Sequence, residues 1–505
     1  MWFVQVILHI ESNGHSISMG RTDQYLYPFM KKDINDGLIN KEQVHELIGC
    51  FFIKVFSNNK LRSESTTRTQ LGYPTYQNIC LGGQTIDGKD ATNSLTDIFL
   101  DMLAKIRLPE PNVYIRLYPG TTEEFLKKAI KVVKLGFGMP AFVNDQVIIP
   151  SLIRFGVTKE DAYNYSTIGC TEVQVPGKWS YRPNGKSKIN LLKILQIAID
   201  GGVDIPSGIT VLKGLRPMEQ CADINEIMDN YRKVLEYYTD LHVIADNMNE
   251  MAMNALVPDA FCSLLMQDCL GRGKAIKEGG VVYDIISGTL IGIANVGNAL
   301  YAIKRVVFDK GLISFKELRE ALNSDFKCEK GEVIRQLLLN AAEKFGNDCD
   351  EVDNFVKVTS DYFVHRIPNY KTMLEGKGPI GCCYTSSTVT ITANIPCDAV
   401  VGATSDGRKA GEPTADGISP SRGTIKNGPT AVLKSVGKLS TELFSGGQLL
   451  NMRVDPKTIE SPEAEKKLGS LLRGFGDLKC WHVQFNMVSN ETLRDAQNHP
   501  EIIRI

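Results

Sequence analysis

The sequence predicts an α/β protein, and three observations carry that prediction. Strand-like and helix-like segments alternate between Val113 and Pro150. Val113–Leu117 alternates apolar and polar residues as a strand does, and Thr122–Leu135 has the periodicity of an amphipathic helix. Pro140–Asp145 and Val147–Pro150 complete a β-α-β rhythm. Further on, Lys188–Asp200 is apolar nearly all round and stops at Gly201-Gly202, as a buried helix does. Finally, 505 residues with 43% hydrophobic and 23% charged side chains suit either a few domains or one large barrel.

The remaining elements follow in order. Residues 1–10 form an apolar strand or helix, and Glu11–Arg21 is a polar loop where side chains could converge on a ligand. Lys41–Phe56 reads as a helix, with Asn40 as cap and Gln43 three residues later. Gly72–Asn78 is a loop leading into the apolar run Ile79-Cys80-Leu81, and a helix over Ser94–Ile106 is capped by Asn93 or Ser94. Another helix begins after Thr158. Residues 222–345 read as mostly helical, with Cys262 and Cys269 in the core. Thr388–Ile395 is dense in β-branched residues and reads as a strand ending at Pro396. A helix over Pro462–Leu472, a strand over Cys480–Asn486 and a helix from Ser489 close the chain. There is no internal repeat.

Composition excludes several classes of function. With 57 basic and 58 acidic residues, no basic block suggests nucleic acid. The apolar start Met1–Leu8 is far shorter than a membrane span and lacks the features of a secretory signal. Twelve scattered cysteines give neither a disulfide framework nor a zinc-like spacing, and no HExxH is present, so no metal is expected. Reduced thiols make the cytoplasm the expected compartment.

Chemistry points to Ser166–Lys178, where Cys170 and Glu172 lie between Gly169 and Pro176-Gly177. If this segment is extended, both side chains point the same way, placing a sulfur and a proton acceptor over one small molecule. On spacing alone, a buried cysteine beside a solvated glutamate is the better reading. A cysteine hydrolase is a weaker one, since no nearby histidine is implied.

Taken together, His9–Arg21, Gly72–Gly83, Pro140–Pro150, Gly169–Lys178, Lys188–Leu195, Thr404–Lys409, Ser419–Lys434, Gly446–Met452 and Phe485–Pro500 resemble the glycyl radical enzymes. This is the family of pyruvate formate-lyase and the B12-independent glycerol and diol dehydratases. The Gly-Cys-x-Glu segment followed by Val-Pro-Gly-Lys is the specific part. The resemblance implies a ten-stranded α/β barrel with surrounding helices, incomplete here. It implies an organic glycyl radical, installed by an S-adenosylmethionine radical activase, and no bound cofactor. Cys170 would be the thiyl residue and Glu172 the base for elimination from a small hydroxylated substrate. His15 and Ser16 match a substrate-binding pair, and Asn184 is the third residue expected to bind substrate. Asn184 stands where the glycerol dehydratases carry an aspartate, which counts against glycerol as substrate because an amide cannot act as the acid. A homodimer is common in the family.

Cys170 is followed by Thr171, not by a second cysteine, so the eliminating branch is favoured over a formate C-acetyltransferase-like carbon–carbon lyase. The adjacent pair Cys382-Cys383 lies outside the matching segments and reads as packing. Two departures accompany the resemblance. The family's N-terminal helical region precedes the first match, so residues 1–505 read as the barrel domain without it. The Arg-Val-x-Gly-Tyr loop of the radical glycine is not found, and only its lead-in at about 480–505 is recognised. The sequence is then a fragment of a longer product, a subunit borrowing a separate glycyl radical domain, or an inactive remnant.

Overall fold

The computed structural model describes residues 2–11, 17–58, 63–64, 67, 75–388 and 392–499. Its strands are β1 (Asn78–Gly82), β2 (Asn112–Leu117), β3 (Ala141–Asn144), β4 (Ser166–Ile168), β5 (Glu172–Gln174), β6 (Asn184–Asn190), β7 (Val203–Asp204), β8 (Ile209–Thr210), β9 (Tyr283–Ile291), β10 (Ile380–Ser387), β11 (Asn451–Val454) and β12 (His482–Met487). They form a five-stranded sheet in the order β1-β2-β3-β12-β11 and a three-stranded sheet in the order β10-β9-β6, plus the small hairpins β4-β5 and β7-β8.

In the larger sheet β1, β2 and β3 run parallel, β12 pairs antiparallel to β3, and β11 pairs parallel to β12. The smaller sheet is parallel throughout. Parallel strands need crossovers, and helices supply them: Glu123–Val133 links β2 to β3, burying Phe125, Leu126, Ala129 and Ile130. Every residue of β1, β3 and β9 is buried, as expected of strands covered on both faces. The architecture is α/β, with two sheets and surrounding helices. No helix among the described residues is long and apolar enough to cross a membrane.

Side-chain caps open many of the helices. Asn40 and Gln43 form a reciprocal capping box on Lys41–Phe56. Asn93 caps Ser94–Ile106 by accepting from the amides of Leu95 and Thr96. Thr122, Thr158 and Ser489 cap their helices as well.

Several expectations need correction. Val147–Pro150 is helical, because the Asn144 side chain accepts from the Gln146 amide and opens a helix over Asp145–Arg154. Residues 188–190 end β6, and the buried helix starts only at Leu191, where Asn190 caps Leu192 and Lys193. The region read as mostly helical contains the nine-residue strand β9. The strand expected over Thr388–Ile395 lies earlier, as β10. Asn394–Asp398 is a short helix held by Asp398, whose carboxylate accepts from the Thr414 amide and hydroxyl; residues 389–391 lie outside the described residues. Of the two presumed core cysteines, Cys269 is buried but Cys262 is half-buried at a cavity wall.

Candidate active site

β4 and β5 pair antiparallel, with Ile168 opposite Glu172, so Gly169-Cys170-Thr171 is a three-residue hairpin loop. Gly169 has φ +61°, a conformation that favours glycine and reverses the chain. The extended reading of this segment is therefore overturned. Cys170 sits in a turn, where strand alternation does not apply. Glu172 is instead brought to the loop by its own side chain, whose Oε2 accepts from the Thr171 amide at 2.9 Å.

Both sheets hold the loop. From β1, Asn78 Nδ2 donates to the Gly169 carbonyl at 2.9 Å, and from β2 the Tyr114 hydroxyl donates to the Cys170 carbonyl. From β6, the Asn184 amide donates to Glu172 Oε1. Behind the loop, Arg116 makes a bidentate pair with Asp145 at 2.8 and 2.9 Å, both side chains fully buried. The same guanidinium donates to the carbonyls of Tyr163 and Tyr165, just before β4, and Tyr165 donates to Asp145 at 2.7 Å. The hairpin is thus anchored at its base as well as at its tip.

The electrostatics suit a neutral thiol beside a tunable acid. Burial pushes the Cys170 thiol well above its ordinary value, with the charge of Glu172 adding to the effect. Burial raises the Glu172 carboxyl from 4.5 to about 7, against hydrogen bonds from the loop backbone and from Asn184. A nucleophilic cysteine needs the opposite shift, toward the thiolate.

A cavity of about 780 Å³ adjoins the hairpin. Glu172, Asn184, Arg182, Trp179, Met253 and Phe261 are on its wall, whereas Cys170 is not among its lining residues. Cavities of this size and mixed lining hold small molecules. Arg182 is buried and pairs with Asp246 at 2.6 Å and Glu250 at 3.2 Å, while Tyr384 donates to Asp246 at 3.0 Å. Burial raises Glu250 to about 7.

Of the residues predicted from sequence, Cys170, Glu172 and Asn184 meet at this hairpin. His15 and Ser16 lie outside the described residues. Cys382 occupies a bulge in β10, where its thiol donates to the Pro379 carbonyl at 3.1 Å, and Cys383 packs in a core cluster. Sequence reading missed Tyr114, Asn78, Ser287 and Ser387. A signal existed for Ser287: with Thr289 it puts hydroxyls two apart on a long apolar run ending at Gly292.

A family model described as pyruvate formate lyase-like matches residues 1–398, and one described as glycine radical matches residues 414–504. The chain is 41% identical over 514 residues to the probable dehydratase YbiW of Escherichia coli strain K12, covering 100% of this chain and 63% of that protein. It is similar in structure to the glycerol-bound B12-independent glycerol dehydratase from Clostridium butyricum, with TM-score 0.91, 38% identity, and coverage of 99% of this chain and 62% of that one. A structure concerning 1,2-propanediol dehydration in Roseburia inulinivorans matches with TM-score 0.92, 37% identity and the same coverages. The chain spans less than two thirds of the length of these relatives. With its two family matches and its Cys-x-Glu hairpin held between two sheets, the chain belongs to the pyruvate formate lyase-like glycyl radical enzymes.

Proposed function

We propose that these residues form the substrate-handling part of a glycyl radical lyase that eliminates a group from a small hydroxylated molecule. The observation carrying this reading is the neutral thiol of Cys170 beside a buried carboxyl near neutrality, Glu172, at one hairpin tip beside a cavity. The Cys170 S–H would give its hydrogen atom to the family's glycyl radical, leaving the unpaired electron on sulfur. A thiol kept protonated fits that exchange, because it has an S–H hydrogen to give.

In this reading Cys170 takes hydrogen from the carbon bearing the hydroxyl, and Glu172 takes the hydroxyl proton. The adjacent carbon then loses its substituent, and the Cys170 S–H returns hydrogen to the product radical. Where the leaving group departs as hydroxide, Glu172 returns its proton to form water, and the balance closes. His15 and Ser16 would bind substrate, and Asn184 would hold Glu172. Partners are a small molecule, a radical S-adenosylmethionine activase and a second copy of the chain. No Arg-Val-x-Gly-Tyr loop occurs within residues 1–505.

The test is anaerobic assay of the gene product with activase, supplemented with a glycyl radical domain, against diols, amino alcohols and hydroxy acids. The expected result is an elimination product that disappears in Cys170→Ser and Glu172→Gln. Carbon–carbon cleavage would favour the formate C-acetyltransferase-like alternative. Turnover that survives Cys170→Ser would overturn both.

A further inference from the structure

Asn184 is held from both sides. Its amide nitrogen donates to Glu172 Oε1, and its Oδ1 accepts from the Ser287 hydroxyl on β9 and from Ser387 Oγ on β10 at 3.2 Å. Ser387 is in turn 2.9 Å from Thr289 Oγ1, and Ser287 lies 3.0 Å from the Pro183 carbonyl. Both serines are fully buried. An ionised carboxylate can only accept, so the amide must turn its NH2 toward Glu172 and its oxygen toward the two hydroxyls.

The backbone keeps Ser287 in place. A Cβ at Gly446 would come within 2.2 Å of the Ser287 Cβ, so only glycine allows this approach. The Gly446 amide also donates to the Ser386 carbonyl at 3.1 Å, tying the same segment to β10.

We infer that Ser287 and Ser387 are positioning residues that fix the Asn184 amide as a hydrogen-bond donor to Glu172 and so set the protonation of that carboxyl. The inference rests on Glu172 being the proton-transfer group proposed above. Because the oriented amide favours the charged form of Glu172, loosening it moves the Glu172 titration upward.

The test is infrared titration of the protein, with the Glu172 carboxyl C=O band isolated by subtracting the Glu172→Gln spectrum. It reads no turnover, so it stands or falls separately from the lyase reading. The wild-type midpoint is expected near 7. Ser287→Ala and Ser387→Ala should each raise it by about 0.5–1 pH unit, and Asn184→Ala by at least as much. Ser387→Thr, which keeps a hydroxyl, should restore the wild-type value. In an Asn184→Ala background the serine changes should add no further shift. Midpoints unmoved by the serine changes, or moved equally without Asn184, would overturn the inference.

Discussion

The Asn184 side-chain amide donates to the Glu172 carboxylate, joining β6 of one sheet to the hairpin that carries Cys170. This one contact couples three properties: the charge on Glu172, the state of the neighbouring thiol and the placement of the smaller sheet.

Glu172→Gln should shift the titration of the Cys170 thiol downward while leaving it above the ordinary thiol value, because burial is the larger cause and remains. The rate of Cys170 alkylation against pH, followed by peptide mass spectrometry, measures this. An unmoved profile would mean the carboxylate does not act on the thiol.

Stability should fall with rising pH through this group. A carboxyl at 4.5 when unfolded and about 7 when folded binds its proton more tightly in the native state. Its contribution is fully present below 4.5 and is lost as pH climbs through 7. A shift of that size corresponds to about 3 kcal/mol. Urea unfolding should therefore find that Glu172→Gln gains stability relative to wild type between pH 5 and pH 8 by an amount of that order. Equal differences at both pH values would refute the assignment.

Asp145→Asn should destabilise the chain by about 3–5 kcal/mol, since it leaves the buried Arg116 guanidinium without its counter-charge. Hydrogen exchange should rise first around Tyr163 and Tyr165, whose carbonyls Arg116 holds. Arg116→Lys should fall short of wild type too, because an ammonium cannot reproduce the two-pronged pairing.

Gly446→Ala should cost about 1–3 kcal/mol by overpacking against Ser287. It should also raise the Glu172 midpoint, as the serine variants do. Loss of stability without that shift would show that the glycine serves packing alone.

The legible parts of the chain were those where local chemistry decides. Asn40 with Gln43, Asn93, Thr122 and Ser489 each announce a helix that the structure contains, because a cap is satisfied within one turn of chain. The Cys170 and Glu172 pair was visible as a motif, but its geometry was misjudged, since Gly169 turns the chain where alternation assumed it straight. β9 was hidden inside a stretch read as helical, because a short apolar run looks alike in either form until its sheet partners are known. Tyr114, Asn78, Ser287 and Ser387 act across separations of dozens to hundreds of residues, and no spacing in the sequence encodes those meetings.

The tethering of the Cys170 loop to β1, β2 and β6 also bears on the order of events during maturation. Its neighbours belong to different sheets, so the sulfur acquires its setting only when both have assembled. A half-folded chain carries an ordinary cysteine with no carboxyl at its side. Native protection at position 170 is thereby withheld until both sheets have formed, and pulsed alkylation during refolding should find this thiol among the last to lose its ordinary reactivity.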